Sequence, residues 1–385
     1  MDTAGVNVTE FCEAHGISRW FFYDVRRRYA VEGESVLEPA SRAPRTSPHR
    51  VPAETEDLVV EERKRLEQAG LDAGAATIRD NLVDRLEDDK VPSEATVWRI
   101  LTRRGFIVPE PKKAPKHSYR TFSAERANQC WQIDATDWSL ADGTAVKIVN
   151  IVDDCTRVLI ASRAVASSNT EAAFETFLGG VSVWGMPNRV LSDNGKEFAL
   201  GLAGLIRRLG VGHGHSRPYH PQTCGKVERF HQTLKKWLTK QAPAATLADL
   251  QAQLDTFANI YNHHRRHRSL DRRTPAHVFA TTPKDGPSGQ ALDQPTTIHH
   301  VTVKPNGTID AGRRYVISLG AAWAGQTVTA IITATTCHVF AHTQLIRQIT
   351  LDPTRRVQPL YDRPGHPGNT PTLTSQTVRY VPRQL

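Results

Sequence analysis

The spacing of apolar residues predicts helices at the N-terminal end of the chain and strands further on. Residues 8–15 and 18–29 have apolar positions at helical spacing, Gly16 separates them, and Ser18 is placed to cap the second helix. The same helical spacing returns in three later stretches, at 56–70, 75–87 and 92–105. In the last of these, Ser93 is the predicted cap and Gly105 the stop. The sequence therefore predicts two all-α units, each of the helix-turn-helix kind.

From residue 129 the apolar pattern becomes that of short strands. The runs at 129–140, 145–154 and 156–165 are joined by short turns, which predicts an antiparallel meander. Helices and strands then alternate, with a helix at 169–185, a strand at 188–195, a helix at 198–209, a strand near 211–216, and helices starting near 222 and 247. Strands that are first antiparallel and then alternate with helices predict a mixed sheet with helices on its faces.

Short alternating runs return beyond residue 297, and Asn306-Gly307 is a strong hairpin turn between two of them. These short runs at tight spacing predict a small β-barrel, followed by a flexible tail. The expected fold class is multidomain, with N-terminal all-α helix-turn-helix units, a central α/β mixed sheet and a C-terminal small β-barrel. The predicted domains are 1–45, 46–118 with its basic linker, 119–285, 297–350 and the tail 351–385.

Composition restricts the class of protein. The chain has 385 residues with 39% hydrophobic content, and no stretch approaches the roughly 18–20 apolar residues of a membrane helix. Its five cysteines are odd in number and scattered without CxxC spacing, so we expect neither a disulfide framework nor structural zinc. No secretion signal is evident at the N-terminus. We therefore expect a cytoplasmic protein without a membrane partner.

The positive charge is clustered, which matters more than the net charge of +9. Clustered cations on helices are what contacts to DNA phosphates require. The candidate DNA-binding residues on the N-terminal helices are Arg19, Arg26, Arg27, Arg28, Arg99, Arg103 and Arg104. The alternative is that these helices form plain hairpins whose basic faces are only solvated.

Three carboxylates stand at positions that invite a chemical explanation. Asp134 interrupts an apolar strand, where a charge is costly unless it is paired or metal-bound. Asp193 follows a strand in the sequence LSDNG, and it could equally serve only to cap the Asp-Asn-Gly turn. Glu228 lies on a predicted helix. It stands at the edge of an apolar stripe that includes Val227 and Phe230.

These residues lie in motifs that resemble a known family. WQIDATDW, LSDNGKEF and RPYHPQTCGKVERFHQTLK resemble the integrase-core transposases of bacterial insertion sequences, the DDE family with an RNase H-like fold. NIYNHHRRHRSLDRRTPAHVF resembles the end of that core, although Arg266 stands where proline is common. The resemblance covers about residues 8–280 and implies that Asp134, Asp193 and Glu228 are catalytic residues and metal ligands. The zinc-binding His/Cys module of retroviral relatives has no counterpart here.

The chemistry explains the residue types. In-line displacement at phosphorus is served by two Mg²⁺ ions, or Mn²⁺ in their place, roughly 3.5–4 Å apart. Hard cations prefer oxygen ligands, so three carboxylates suit them. Asp137 is expected to point away from Asp134, and Asp153 and Asp154 are expected to form a hairpin turn. Four cations flank Glu228 on its helix, either as DNA contacts or as a solvated face, and they are Lys226, Arg229, Lys235 and Lys236. Of these, Lys226, Arg229 and Lys235 are candidate DNA-binding residues.

The expected function is that of a nucleoid-associated DNA transposase. It would bind the terminal inverted repeats of its element, cleave the 3′ ends and join them to target DNA. Two element ends must be held together, so a homo-oligomer on double-stranded DNA is expected. Two alternatives remain, a ribonuclease H-type nuclease acting alone and a catalytically inactive DNA-binding regulator derived from a transposase.

Overall fold

The computed structural model describes most of the chain. The described residues are 7–37, 51–87, 90–107, 123–192, 197–215, 225–289 and 296–360. The chain divides into two compact units, residues 1–57 and residues 58–385. None of the described helices is long and apolar enough to cross a membrane.

The N-terminal unit contains the helix pair that the sequence predicts. Helix α1 (Val8–His15) and helix α2 (Arg19–Glu32) are followed by a 3₁₀ turn at Gly33–Leu37. Gly16 ends α1 with a φ of 63°, a value that favours glycine. Ser18 caps α2, because its side-chain oxygen accepts a hydrogen bond from Phe21 N at 3.1 Å. The predicted helices and their boundary signals are thus confirmed.

The second helical segment comprises α3 (Ala53–Gln68), α4 (Ala75–Val83) and α5 (Glu94–Arg103). Ser93 Oγ accepts a hydrogen bond from Thr96 N at 3.3 Å and caps α5, as predicted. The residues of α4 and α5 that are buried are Ile78, Leu82, Val97, Ile100 and Leu101. Since these apolar positions occupy one side of α5, the opposite side of that helix faces solvent.

The central sheet is mixed and has the strand order β3-β2-β1-β4-β5. Its strands are β1 (Trp131–Ser139), β2 (Ala145–Asp153), β3 (Leu159–Val165), β4 (Arg189–Ser192) and β5 (Gly212–His215). Strands β1, β2 and β3 form the predicted antiparallel meander, whereas β4 runs parallel to β1 and β5 runs parallel to β4. This arrangement is consistent with the expected RNase H-like core and puts β1 in the middle of the sheet.

Helices cover both faces of this sheet. They are α6 (Thr170–Trp184), α7 (Ala203–Arg208) after a π-helical segment at Glu197–Leu202, α8 (Gly225–Leu238), α9 (Leu247–Asn259) and α10 (Pro275–Thr281). Trp131 and Ile133 of β1 pack into the apolar core that contains α6. Alternate residues of a strand point to opposite faces, so Gln132 and Asp134 face the layer formed by α8 and α9. The close approach of α6 to β3 depends on Gly180, where an added Cβ would lie 2.5 Å from Ile160.

The described C-terminal strands form two sheets, and the predicted small β-barrel stays a prediction, because no closed barrel is seen within residues 296–360. The strands are β6 (Thr297–Thr302), β7 (Thr308–Ala311), β8 (Tyr315–Ser318), β9 (Thr327–Ile332), β10 (Thr336–Ala341), β11 (Gln344–Thr350) and β12 (Val357–Gln358). Within residues 296–360, one sheet has the order β11-β10-β9-β6 and the other the order β12-β8-β7. The turn at Asn306-Gly307 is present, but it joins β6 and β7, whose ladders belong to different sheets. Alternation predicts which residues face inward without specifying which strands pair.

The C-terminal strands pack directly on the central core. Phe340 of β10 is fully buried, and its ring lies 5.1 Å from that of Phe174 on α6, at an interplanar angle of 60°. At the edge of this contact, His342 Nδ1 lies 2.8 Å from Glu171 Oε1. The apolar core on this face of the sheet therefore extends without interruption into the C-terminal strands.

Ion pairs hold α4 and the segment before it against the other face of the core. Arg265 Nε donates a hydrogen bond to Asp72 Oδ2 at 2.7 Å, and Arg272 Nε donates to Asp80 Oδ2 at 2.9 Å. Leu71 packs against the apolar cluster of α8 and α9. At least part of the basic run at 263–268 is thus used for contacts within the protein.

Candidate active site

Asp134 lies at the centre of the candidate site. It occupies the middle of β1, on the face covered by α8, and its side chain is 25% exposed. Its Oδ1 accepts a hydrogen bond from Ala135 N at 2.8 Å, and the buried Asn150 lies directly opposite on β2. Asp134 is thus a carboxylate partly open to solvent on a central strand, where it can serve as a metal ligand.

Helix α8 approaches Asp134 through His231. His231 Nδ1 lies 3.7 Å from Asp134 Oδ2, which is longer than a hydrogen bond. Burial, with a smaller effect of Lys235, lowers the pKa of His231 to about 4, so the imidazole is neutral at pH 7. Glu228 is exposed and lies three residues before His231, so the two side chains are neighbours on one face of the helix. The His231 contact therefore brings the turn that carries Glu228 to the side of Asp134.

The third predicted carboxylate, Asp193, lies outside the described residues. The residue before Asp193 is described: Ser192 ends β4 and pairs with Ile133, the neighbour of Asp134. Ser192 Oγ also lies 3.1 Å from His213 Nε2 on β5. The end of β4 is therefore beside the part of β1 that carries Asp134.

The donor chemistry of the site fits a divalent cation. Asp134 and Glu228 offer carboxylate oxygens, the ligands that Mg²⁺ prefers. Within the described parts of the chain, no three His, Cys, Asp or Glu side chains are grouped closely enough to hold a metal ion. The third donor in the predicted set is Asp193, which is not among those residues. Asp134 and Glu228 would hold the ion from β1 and α8.

Asp154 forms a buried network that the sequence did not reveal. Asp154 is 2% exposed, and its Oδ1 accepts hydrogen bonds from Gln132 Nε2 at 2.6 Å and lies 2.7 Å from Lys226 Nζ. Its Oδ2 accepts a hydrogen bond from Ala124 N at 2.7 Å. The side chain of Lys226 is only 11% exposed, and burial lowers its pKa. The predicted DNA-binding role of Lys226 stays a prediction, but its ammonium is already bonded within the protein.

The neighbouring aspartates have separate environments. Asp153 ends β2 and is fully buried, and it accepts hydrogen bonds from Thr156 N and Asn128 N, while burial raises its pKa to about 6. Asp153 and Asp154 thus form the predicted turn, although their side chains are not solvated. Asp137 is 79% exposed and pairs with Lys147 at 2.6 Å, which lowers the pKa of Asp137. It points away from the site, as expected.

The structure divides the predicted DNA-binding residues into groups. On α2, Arg19, Arg26 and Arg27 are exposed and Arg28 is half-buried. Asp24 pairs with both Arg27, at 2.7 Å, and Arg28, at 3.0 Å. The exposed side of α5 and its C-cap carries three of the predicted arginines, Arg99, Arg103 and Arg104. On α8, Arg229 is exposed and Lys235 is half-buried. Sequence reasoning missed Trp98, which is 45% exposed on α5. Its position outside the apolar stripe of that helix could have indicated an exposed aromatic side chain.

Comparison with known families agrees with this geometry. Descriptions of the integrase core domain match residues 124–221 and residues 209–275. Together the two matches span residues 124–275, so this part of the chain is similar to the integrase core domain. A homeodomain-like domain matches residues 21–101, from α2 to the last turns of α5. The resemblance read from the motifs is thereby confirmed, with a helix-turn-helix segment preceding the integrase core.

Two of the relatives with partial matches come from a virus-like particle and a virus. The chain is 32% identical over 117 residues to the Intracisternal A-particle Pol-related polyprotein of mouse intracisternal A-particle MIA14, covering 30% of this chain and 13% of that protein. It is 28% identical over 100 residues to the putative integrase ORF3 of Spiroplasma virus SpV1-C74, covering 23% of this chain and 28% of that protein. This chain therefore covers only a minor part of the length of each of these relatives.

Solved integrases show weaker likeness. The HTLV-2 integrase catalytic core domain in complex with magnesium is 18% identical, with a TM-score of 0.34, covering 40% of this chain and 96% of that chain. The simian T-cell lymphotropic virus intasome, in complex with the PP2A regulatory subunit B56 gamma, is 17% identical, with a TM-score of 0.38. That likeness covers 71% of this chain and 94% of that chain.

Proposed function

We propose that this protein is a DNA transposase. It binds the terminal inverted repeats of an insertion sequence, cleaves the 3′ ends and joins them to target DNA. The observation that carries the proposal is the contact between His231 and Asp134, because it brings the turn of α8 with Glu228 to the strand that bears Asp134. The pairing of Ser192 with Ile133 supports Asp193 as the third member.

In this proposal each carboxylate acts through its position. Asp134 is central on β1 and presents Oδ2 to the substrate side, while Glu228 approaches from α8. Bound divalent cations, two in our proposal, would activate the attacking oxygen and stabilise the charge on the leaving oxygen. His231 Nδ1 lies 3.7 Å from Asp134 Oδ2, but the imidazole is neutral, so it does not compete with a cation as a counter-charge. The same carboxylates serve cleavage and joining, since both reactions are in-line displacements at phosphorus.

DNA recognition is assigned to the helical segments. The exposed cations of α2 and α5 would contact phosphates, and Trp98 offers an apolar surface beside Arg99. Phosphate contacts give affinity that falls steeply with salt concentration. Because two ends must be held in one complex, we propose that the protein acts on DNA as a homo-oligomer.

The test measures Mg²⁺-dependent cleavage of end-containing DNA and binding to that DNA side by side. Asp134→Asn, Asp193→Asn and Glu228→Gln should each slow cleavage by roughly a thousandfold, equivalent to about 4 kcal/mol of lost transition-state stabilisation. End binding should stay within twofold of the unmodified protein. Asp137→Asn is the matched control, because Asp137 lies on the same strand but faces solvent, and it should cleave normally.

Each contrary outcome has a distinct meaning. End binding without metal-dependent cleavage by the unmodified chain would identify a DNA-binding regulator. Equal cleavage of end DNA and scrambled DNA would indicate a nuclease that does not recognise ends. Near-normal cleavage by Asp193→Asn would return Asp193 to a turn-capping role and remove it from the site.

A further inference from the structure

The buried carboxylate of Asp154 connects the two elements that carry Asp134 and Glu228. Its Oδ1 accepts a hydrogen bond from Gln132, two residues before Asp134 on the same face of β1. The same oxygen lies 2.7 Å from Nζ of Lys226, two residues before Glu228 at the start of α8. One carboxylate oxygen thus binds a side chain from each of the two elements.

The remaining contacts fix Asp154 itself. Its Oδ2 accepts from Ala124 N at 2.7 Å, and its own N donates to Cys130 O at 2.9 Å, next to the start of β1. Lys226 Nζ donates a second hydrogen bond, to Asp154 O at 3.1 Å, and a third, to Ser123 Oγ at 3.3 Å. The ammonium therefore has three defined partners in a nearly closed environment, and its position is set in three dimensions.

A buried ion pair is poor evidence for stability, because removing two charges from water offsets much of their attraction. Its directional contacts, in contrast, can specify one arrangement. The apolar stripe of α8, formed by Val227, Phe230 and Leu234, holds the helix against the sheet but is non-directional. Such contacts resist separation of the helix more than they resist its sliding along the sheet. The ammonium of Lys226 supplies the missing restraint.

We propose that Asp154 is a positioning residue for the active site, which through Gln132 and Lys226 sets the distance between Asp134 and Glu228. This inference rests on the proposed function, because it assigns both carboxylates to one metal site. It also gives Lys226 a role other than DNA contact. Asp154 touches neither metal nor substrate, and it acts only through the two elements that it joins.

The variant Asp154→Asn tests the inference, and Asp153→Asn is its matched control. Both residues are buried in the same turn, but the side chain of Asp153 bonds only to Thr156 and Asn128 among the contacts that the structure describes. Both variants should melt at lower temperature by comparable amounts. Only Asp154→Asn should raise the Mg²⁺ concentration for half-maximal cleavage, by about tenfold or more, as is usual for residues that orient metal ligands. Its binding to end DNA should stay within twofold.

A second readout does not depend on cleavage. Binding of Mn²⁺ alone to the full chain, measured from the electron paramagnetic resonance signal of the free ion, should weaken about tenfold in Asp154→Asn and stay unchanged in Asp153→Asn. If the unmodified chain binds Mn²⁺ but does not cleave end DNA, the proposed function fails while this inference is still tested. Unchanged Mn²⁺ binding by a folded Asp154→Asn protein would overturn the inference.

Lys226→Met provides an independent variant if Asp154→Asn does not fold. Methionine has a similar length and suits the nearly closed environment, and it leaves Asp154 with its bonds to Gln132 and Ala124. The inference predicts the same tenfold loss of Mn²⁺ affinity with end binding retained. A large loss of end binding with normal Mn²⁺ binding would identify Lys226 as a DNA contact and would overturn its positioning role.

Discussion

The contact between β10 and α6 predicts that the C-terminal strands are an energetic part of the integrase core. We consider the replacement Phe340→Ala. Phe340 is completely buried, and its ring meets Phe174 edge-on with 5.1 Å between ring centroids. Phe→Ala substitutions in packed cores cost about 3–5 kcal/mol, and the aromatic pair places this site in the upper part of that range. We therefore expect a loss of about 4 kcal/mol.

This loss should appear in one cooperative transition. In domains of 150–250 residues, 1 kcal/mol shifts Tm by about 2–4 °C, so we expect Phe340→Ala to lower Tm by roughly 8–16 °C. Differential scanning calorimetry of the full chain measures both the shift and the number of transitions. The control is His342→Ala at the edge of the same contact. His342 is 81% exposed, so loss of its pair with Glu171 should cost less than about 1 kcal/mol.

Separate unfolding transitions for the C-terminal strands and for the core would refute this reasoning. If Phe340→Ala lowered one small transition while the main transition kept its Tm, the C-terminal strands would unfold independently of the core. The continuous apolar packing would then contribute little to the free energy of unfolding of the core. A normal Tm in Phe340→Ala would contradict the burial itself.

Three further predictions address DNA binding, pH and docking. Arg99→Ala should weaken end binding and reduce the slope of log affinity against log salt by about 1, measured by fluorescence anisotropy; an unchanged slope would remove Arg99 from the interface. Burial, with a smaller effect of Arg265 and other nearby arginines, lowers the pKa of His267 to about 2. Below pH 6.5 the unfolded chain binds a proton at His267 and the folded protein does not, so the folded protein loses stability as the pH falls. Between pH 6.5 and 5 the protein should lose about 2 kcal/mol from this residue in urea titrations, and His267→Asn should remove that dependence. Arg272→Ala should cost about 1–3 kcal/mol because it strips Asp80 of a charged partner, whereas a substitution of the exposed Arg266 should be neutral by thermal melting.

Much of the fold could be predicted because local signals and burial agree. Ser18 and Ser93 cap the helices that their positions indicated. Alternation along β1 correctly separates Trp131 from Asp134, since a strand has two faces and only one packs against α6. These features depend on residues within a few positions of each other, which is the range over which sequence patterns carry information.

What could not be predicted depends on residues that are distant in sequence. In the sequence, Lys226 is one of several cations around Glu228. Only the fold shows that its partner is Asp154, 72 residues earlier in the chain. His231 has the pattern of an ordinary amphipathic position, and its contact with Asp134 requires the packing of α8 on β1. The pairing of the C-terminal strands is likewise a choice among several partners of similar length and pattern. The prediction for Asp193 stays open, because it falls outside the described residues.

If the proposed function holds, the position of Asp134 gives a physical reason for placing a phosphoryl-transfer site on this sheet. Such catalysis consists mainly of positioning and charge stabilisation, and it is best served by elements with little freedom. Strand β1 is bonded to β2 along its length and to β4 as far as Ile133, so its backbone cannot shift near Asp134 without breaking both ladders. Helix α8 has no such ladder, and its directional restraint near Glu228 is the buried ammonium of Lys226. The precision of a two-element metal site is limited by its less constrained element. For this protein we therefore expect defects around Lys226 to impair metal binding before they impair folding.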